Sequence, residues 1–338
     1  MDITLYNSFP VELKENWNRL LSNGVSHFPF LRYEYLEDWW QTRGGGEWPL
    51  EAELAILAAH EAGELVGIAP LFIAEHQGQK CLLLLGSIEI SDFLDLIVSP
   101  DRLADFSQAL LQYVTEHFVP LGIKTLDLYN LLDDSPSIES LTSAAASAGF
   151  KVNRERLQHS PFITLPGDWE RYLESIDKKQ RHEIRRKMRR AAEGDVLVEM
   201  VFTSDANQVE QDAEAFMSLM AQDPEKAAFL KPEMREQFRR SIRRAFDCGC
   251  LQLAFLKIGG EDAAAYLNFD YLNRVWVYNS GVDRRFMEYS PGWVLLGHLL
   301  KWANENGRSE FDFMRGNEDY KYKFGAVDRF VDRLTLTK

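Results

Sequence analysis

Apolar residues at helical spacing, Leu13, Trp17, Leu20 and Leu21, predict a first helix. A second group, Phe30, Tyr33, Leu36, Trp39 and Trp40, follows until Gly44–Gly46 breaks the chain. The pattern then shifts to strand-like runs at about 51–60, 64–74 and 80–86, separated by the turn signals Ala62-Gly63 and Gln77-Gly78. Phe93–Val98 reads as another strand. A helix from Pro100-Asp101 to about Phe118 follows, then a strand at 123–129, a helix at 136–147 and a strand from Phe150.

The second half repeats that order without repeating the sequence. A strand at 161–165 leads through Asp168, a helix N-cap, into one long helix from Trp169 to Ala192. A strand at 196–202 and helices at about 205–220 and 232–247 come next. Three strands at 251–258, 263–271 and 274–281 precede a helix from Pro291 to about Asn304, a strand at 310–313 and a closing β segment at 329–336. This order predicts two α/β domains, 1–157 and 158–338, as the length also suggests at about 100–200 residues per domain.

Charge sharpens the division. The net charge is -14, but residues 1–150 carry -15 and residues 151–338 carry +1. The total speaks against a general nucleic-acid binder, whose footprint is basic. The second half nonetheless concentrates its cations: Lys178, Lys179, Arg181, Arg185, Arg186, Lys187, Arg189 and Arg190 oppose only Asp177 and Glu183. A second basic helix carries Lys231, Arg235, Arg239, Arg240, Arg243 and Arg244. Such faces suit an anionic donor or an RNA end as well as solvent. No apolar run reaches the length of a membrane span, no secretory leader is evident, and three cysteines make no disulfide framework. The expectation is a cytoplasmic protein without membrane partners.

Walker, dinucleotide-binding and nucleophile-elbow motifs are absent, and the histidines and cysteines lack metal-ligand spacing, so no metal is expected. The most informative stretch runs from Val275 to Ala326. Ser290, Pro291 and Gly292 form a helix start in which serine caps, proline takes the first turn and glycine leaves the amides open. Unpaired amides and the helix dipole suit a diphosphate, and Arg284 and Arg285 stand just ahead. Downstream, Asp312 alternates with Phe311 and Phe313, and needs Arg315 or Lys321 as a partner if buried. Glu318 and Tyr320 supply acid/base groups after that strand. In the first half, Asp92 and Asp95 place two carboxylates beside a strand, at the edge of a pocket.

Together these motifs resemble the CelD-like acetyltransferase branch of the GNAT superfamily, a group related to the Fem-type peptidyl transferases. The resemblance rests on Val66-Gly67-Ile68-Ala69-Pro70-Leu71, Ser91-Asp92-Phe93-Leu94-Asp95, Ser160-Pro161-Phe162-Ile163 and the basic stretch 178–187. It continues through Tyr289-Ser290-Pro291-Gly292, Phe311–Gly316 and Tyr320-Lys321. It implies an α/β (α+β) fold of two tandem GNAT-like domains, each a mixed, mostly antiparallel sheet flanked by helices. It further implies transfer of an acyl group, acetyl above all, from acyl-CoA to an amine or hydroxyl of a small metabolite or saccharide precursor. The donor's diphosphate then maps onto Arg284, Arg285, Tyr289, Ser290, Pro291, Gly292 and Trp293. Asp312 or Glu318 is the expected base, Tyr320 or Tyr289 the acid, and a main-chain N–H of strand 276–280 the oxyanion donor. Asp92, Asp95, Tyr278, Arg315 and Lys321 are the expected acceptor contacts. The alternatives are Fem-like transfer from charged tRNA, which would use the basic helix, and a non-catalytic binding protein on the same fold.

Overall fold

The computed structural model describes residues 1–338 and divides into two compact units, 1–158 with 330–338, and 159–329. The first unit begins with β1 (Asp2–Tyr6), α1 (Lys14–Asn23) and α2 (Tyr33–Gly46). β2 (Glu53–Leu54), β3 (Ile56–Glu61), β4 (Glu64–Ala69), β5 (Leu71–His76) and β6 (Gln79–Leu84) follow. After β7 (Ile97–Val98) come α3 (Leu103–Tyr113), β8 (Thr125–Leu132), α4 (Pro136–Ala148) and β9 (Lys151–His159). Ala62-Gly63 and Gln77-Gly78 form two-residue hairpin turns with positive φ throughout, matching the right-handed twist of the strands they join.

The run expected as one strand at 64–74 is two strands in two sheets. Pro70 has no N–H to give a ladder, and the chain changes sheet there. The run at 51–60 divides likewise into β2 and β3, and of Phe93–Val98 only Ile97–Val98 is strand. An antiparallel sheet has the order β1-β3-β4-β7. A second, mixed sheet contains β2-β5-β6-β8, with β6 and β8 parallel.

The second unit comprises β10 (Phe162–Thr164), α5 (Trp169–Ser175), α6 (Lys178–Glu193) and β11 (Val198–Phe202). α7 (Val209–Met220), α8 (Pro224–Phe229) and α9 (Pro232–Asp247) precede β12 (Leu251–Ile258), β13 (Glu261–Tyr271) and β14 (Arg274–Val282). α10 (Pro291–Glu305), β15 (Glu310–Asp312) and α11 (Asp319–Lys323) complete it. Its six-stranded sheet runs β10-β15-β14-β13-β12-β11, antiparallel except for β14 and β15. α5, α6 and α10 bury their apolar sides with one face of this sheet, including Leu173, Ile184, Val294 and Leu299 against Ala264 and Val275. α7 and α9 pack on β13, β14 and β12, and Tyr278 of β14 stacks on Phe238 of α9 at 5.6 Å.

Two expectations change here. The helix expected over 169–192 is two helices, because Asp177 caps a new start by accepting the amides of Lys179 (2.9 Å) and Gln180 (3.4 Å). The closing strand β16 (Phe330–Thr337), expected with residues 158–338, instead lies between β8 and β9 in the first unit's six-stranded sheet. Arg333 fixes it there, donating two 2.7 Å bonds to Asp127 on β8.

Candidate functional site

The parallel pair β14–β15 is hydrogen-bonded over three positions only, from Arg274↔Glu310 to Trp276↔Asp312. β14 then continues from Val277 to Val282 past the end of β15. On its other edge the register with β13 shifts, so that Asn279 pairs with Leu267, Val277 pairs with Asn268, and Tyr278 is the extra residue of a bulge. A bulge breaks the ladder locally and re-aims main-chain groups. The sheet therefore opens at the one place where a strand edge, a bulge and the approach to α10 meet.

A cleft of about 430 Å³ lies at the end of β14. Its lining includes Met220, Asp223, Lys226, Ser280, Gly281 and Arg284. Gly281 lets α7 reach the strand: a Cβ there would stand 2.3 Å from the Met220 amide nitrogen. Asp223 caps α8, accepting from the amides of Glu225 (2.9 Å) and Lys226 (3.1 Å), and these bonds hold its carboxyl below the usual carboxylate range. Lys226, one turn into α8, donates to Asn279 Oδ1 at 2.8 Å and to the Ser280 carbonyl at 2.7 Å. Its burial lowers the ammonium's pKa, opposed by the charges of Asp223 and Glu318. Lys226, Asp223 and Asn279 escaped the sequence reading. The Asp223-Pro224 pair, a helix-start signature, was the signal that marked α8.

Glu318 lies close enough to act electrostatically on Lys226, Tyr266 and Tyr320. It is exposed and pairs with Lys321 at 2.9 Å. Tyr320 and Tyr266 are hydrogen-bonded to each other, and burial drives both phenols well above their ordinary pKa. Lys321 does not face an acceptor as expected. Its ammonium is buried against the carbonyls of Phe313 (3.2 Å), Arg315 (3.0 Å) and Gly316 (3.0 Å), pinning the loop that carries Arg315 and Glu318.

Asp312 also has a different partner from those expected. It is fully buried, accepts from the Met314 amide at 2.7 Å and forms an ion pair with Arg329, not Arg315 or Lys321. Desolvation raises its pKa to about 6, opposed by the Arg329 charge. With both oxygens engaged, it braces the end of β15 beneath the opening.

At the start of α10, Pro291 occupies the first turn as expected, but Ser290 does not cap with its side chain. It adopts the left-handed conformation, φ 54°, and its carbonyl accepts from Val294 instead. Gly292 lies close to β14, where a Cβ would stand 3.1 Å from Val282 Cγ2. The Trp293 indole N–H is buried without a partner, and Lys187 lies over the ring at 4.3 Å. Tyr289 packs against the core. Of the two arginines ahead, Arg285 is committed to Asp283 (2.8 Å) and Glu261 (2.9 Å), whereas Arg284 lines the cleft.

Asp92 and Asp95 belong to the first unit. Asp95 is not at a pocket edge. It is fully buried and accepts from Ser26, from Ser135 at 2.5 Å and from the Leu96 amide at 2.7 Å, and burial raises its pKa. Tyr278 stacks among Phe238 and Phe269, its side chain serving the α9 face. Among the residues described, no cluster of three His, Cys, Asp or Glu side chains has the arrangement of a metal site, and no helix is long and apolar enough to cross a membrane.

Residues 178–322, the part of the second unit that holds this cluster, match the family model described as an acetyltransferase (GNAT) domain. That match covers less than half of the chain, and the fold around it is mixed α/β, two mixed sheets flanked by helices. Among solved structures it is similar to FemX, with a TM-score of 0.67 at 12% identity, covering 98% of this chain and 97% of that one. It is also similar to a tandem GNAT protein from the clavulanic acid biosynthesis pathway, with a TM-score of 0.52 at 15% identity and coverage of 98% and 97%. A third similar structure is the C-terminal domain of a putative lysylphosphatidylglycerol synthetase from Agrobacterium fabrum, with a TM-score of 0.57 at 12% identity, covering 97% and 92%. No curated protein matches the sequence.

Proposed function

We propose that the second unit transfers an acyl group from acyl-CoA to an amine or hydroxyl of a small metabolite or saccharide precursor. The observation that carries this reading is the opened β14–β15 pair, which leaves a strand edge leading from a bulge toward the start of α10. An extended donor arm can hydrogen-bond along such an edge as an added strand does. The start of α10 fits the donor's phosphates: the amides of Gly292 and Trp293 begin the helix, and the side chain of Ser290 leaves them uncapped. The thioester supplies an activated carbonyl carbon.

The chain's own residues supply proton handling and orientation. Glu318, exposed beside the opening, takes the acceptor's proton. A main-chain N–H at the Tyr278 bulge faces the carbonyl oxygen where negative charge develops. Tyr320, kept protonated by burial and oriented by Tyr266, returns a proton to the departing sulfur. Asp312 and Lys321 hold the loop that presents Glu318 and Tyr320.

Acetyl-CoA consumption followed by thiol release, with a panel of amines and amino sugars, tests the reading. Glu318→Gln is expected to lower kcat by about 10²–10⁴-fold with the donor KM unchanged. Thiol release that is equal in the wild type and Glu318→Gln would remove Glu318 from the mechanism. Absence of release with every thioester and acceptor would sink acyl transfer itself.

A further inference from the structure

Many cations around the second unit's helices have a carboxylate partner. Arg186, Arg235, Arg239, Arg240, Arg243 and Arg308 all have one within 4.0 Å. Lys226 does not. Its ammonium, half-buried at the cleft wall, gives two protons to neutral oxygens of Asn279 and Ser280, and a lysine has three to give. Asp223, which caps its helix, acts on the ammonium through space but forms no ion pair with it, and accepts from two helix amides instead. Glu318 and Lys321, facing it from the α11 side, offset each other as a 2.9 Å pair. Arg284 adds a second cation to the same lining. A partly desolvated positive charge with a spare donor is stabilised by an anion that completes it.

The position of this charge separates it from the donor's phosphates. α10, whose start suits those phosphates, packs with α5 and α6 on one face of the sheet. The cleft that holds Lys226 is lined by Leu219 and Met220 at the end of α7, which packs on the other face. Resting on the acyl-transfer reading, we infer that Lys226 is an acceptor-side anion anchor: the cleft takes an amine or hydroxyl compound that also bears a carboxylate or phosphate. The ammonium, held by Asn279 and Ser280, fixes that group and so sets the distance of the nucleophile from the opening of β14. Lys226 is thus a specificity-determining residue, not a proton carrier.

The test compares ethanolamine with phosphoethanolamine and β-alanine as probes, by calorimetry on the full chain with and without saturating CoA. One charge-assisted bond predicts that an anionic probe binds roughly tenfold or more tighter than ethanolamine. Lys226→Met is expected to erase that preference and Lys226→Arg to keep most of it, with all three proteins giving the same circular dichroism and melting profile. A preference that disappears when CoA is added assigns the charge to the donor and overturns the inference. Equal binding of all probes, or a preference that survives Lys226→Met, overturns it too. Should Lys226→Met not fold, the CoA competition and the probe comparison on the wild type still decide. The acyl-transfer assay is read separately: preference without turnover refutes the transfer reading, and turnover without preference refutes only the anchor.

Discussion

Asp312 offers a measurement in which burial and ion pairing pull in opposite directions. The carboxyl is completely buried beside Arg329, and its pKa moves from 3.8 in the open chain to about 6 in the fold. Between pH about 4 and 6 the folded chain therefore holds more protons at this group than the unfolded chain, so its contribution to stability falls as pH rises through that window. Two units at about 1.4 kcal/mol each set the change at no more than about 3 kcal/mol. Asp312→Asn removes the titration while keeping the shape and leaving a carbonyl for the Met314 amide. Urea unfolding of both proteins at pH 4, 5, 6 and 7 gives the comparison. The wild type is expected to lose ground against Asp312→Asn as pH rises, and to lose none beyond about pH 7. A wild type that instead gains on the variant would show that the attraction of Arg329 exceeds the cost of burying the charge, and the reasoning would be refuted. The same variant separates structure from chemistry: because both oxygens are engaged, acyl transfer should retain its pH profile in Asp312→Asn.

Two further substitutions test assignments made above. Asp95→Ala leaves the Leu96 amide and two serine hydroxyls without their acceptor; at about 1–3 kcal/mol per orphaned buried group, partly relieved by hydroxyl rotation, a loss of about 3–5 kcal/mol is expected by urea denaturation. A well-folded Asp95→Ala protein with a raised acceptor KM would restore the substrate-contact role. Gly281→Ala places a methyl 2.3 Å from the Met220 amide nitrogen, so a stability loss of about 1–3 kcal/mol is expected, with a larger proportional loss of acyl transfer than of melting temperature. An unchanged melting curve would mean that α7 does not rest on β14 at this point.

The elements most legible in the sequence are those specified by neighbours along the chain. Ala62-Gly63 and Gln77-Gly78 declare their hairpins because two-residue turns with positive φ favour small or flexible residues. Pro291 declares the start of α10. The partner of Asp312 was illegible because Arg329 lies 17 residues away and reaches it only after the chain has turned through α11. Candidates nearby in sequence, Arg315 and Lys321, were the natural choice, yet Lys321 is drawn to three carbonyls of its own loop. The fate of the closing strand was equally hidden. Leu334 and Leu336 alternate with Arg333, Thr335 and Thr337 as a half-buried strand should, and that alternation suits either sheet. Only the pairing of Arg333 with Asp127, more than two hundred positions earlier, reveals which. Lys226 lay in a stretch without strong periodicity, where a single buried charge leaves no pattern to read.

The similar order of elements in the two halves also bears on why the proposed site lies in one of them. Each six-stranded sheet contains one parallel pair separated by a helix, β6 with β8 and β14 with β15. In the first unit, β6 pairs from Cys81 to Leu83 and ends at Leu84, so it barely outruns its partner. The turn that follows is closed by Asn130, whose amide donates at 2.8 Å to the carbonyls of both Ile88 and Ser91, and β8 is buried along its whole length. In the second unit, β14 runs from Val277 to Val282 beyond its last pairing with β15, bulges at Tyr278, and is half-exposed from Tyr278 to Ser280. An extended ligand can add to a strand edge only where that edge outlasts its neighbour. The first unit spends its edge on its own backbone, whereas the second leaves it open beside Lys226, Glu318 and the start of α10. Lengthening the parallel pairing in the second unit, by extending β15 past Asp312, should therefore abolish acyl transfer while stabilising the sheet.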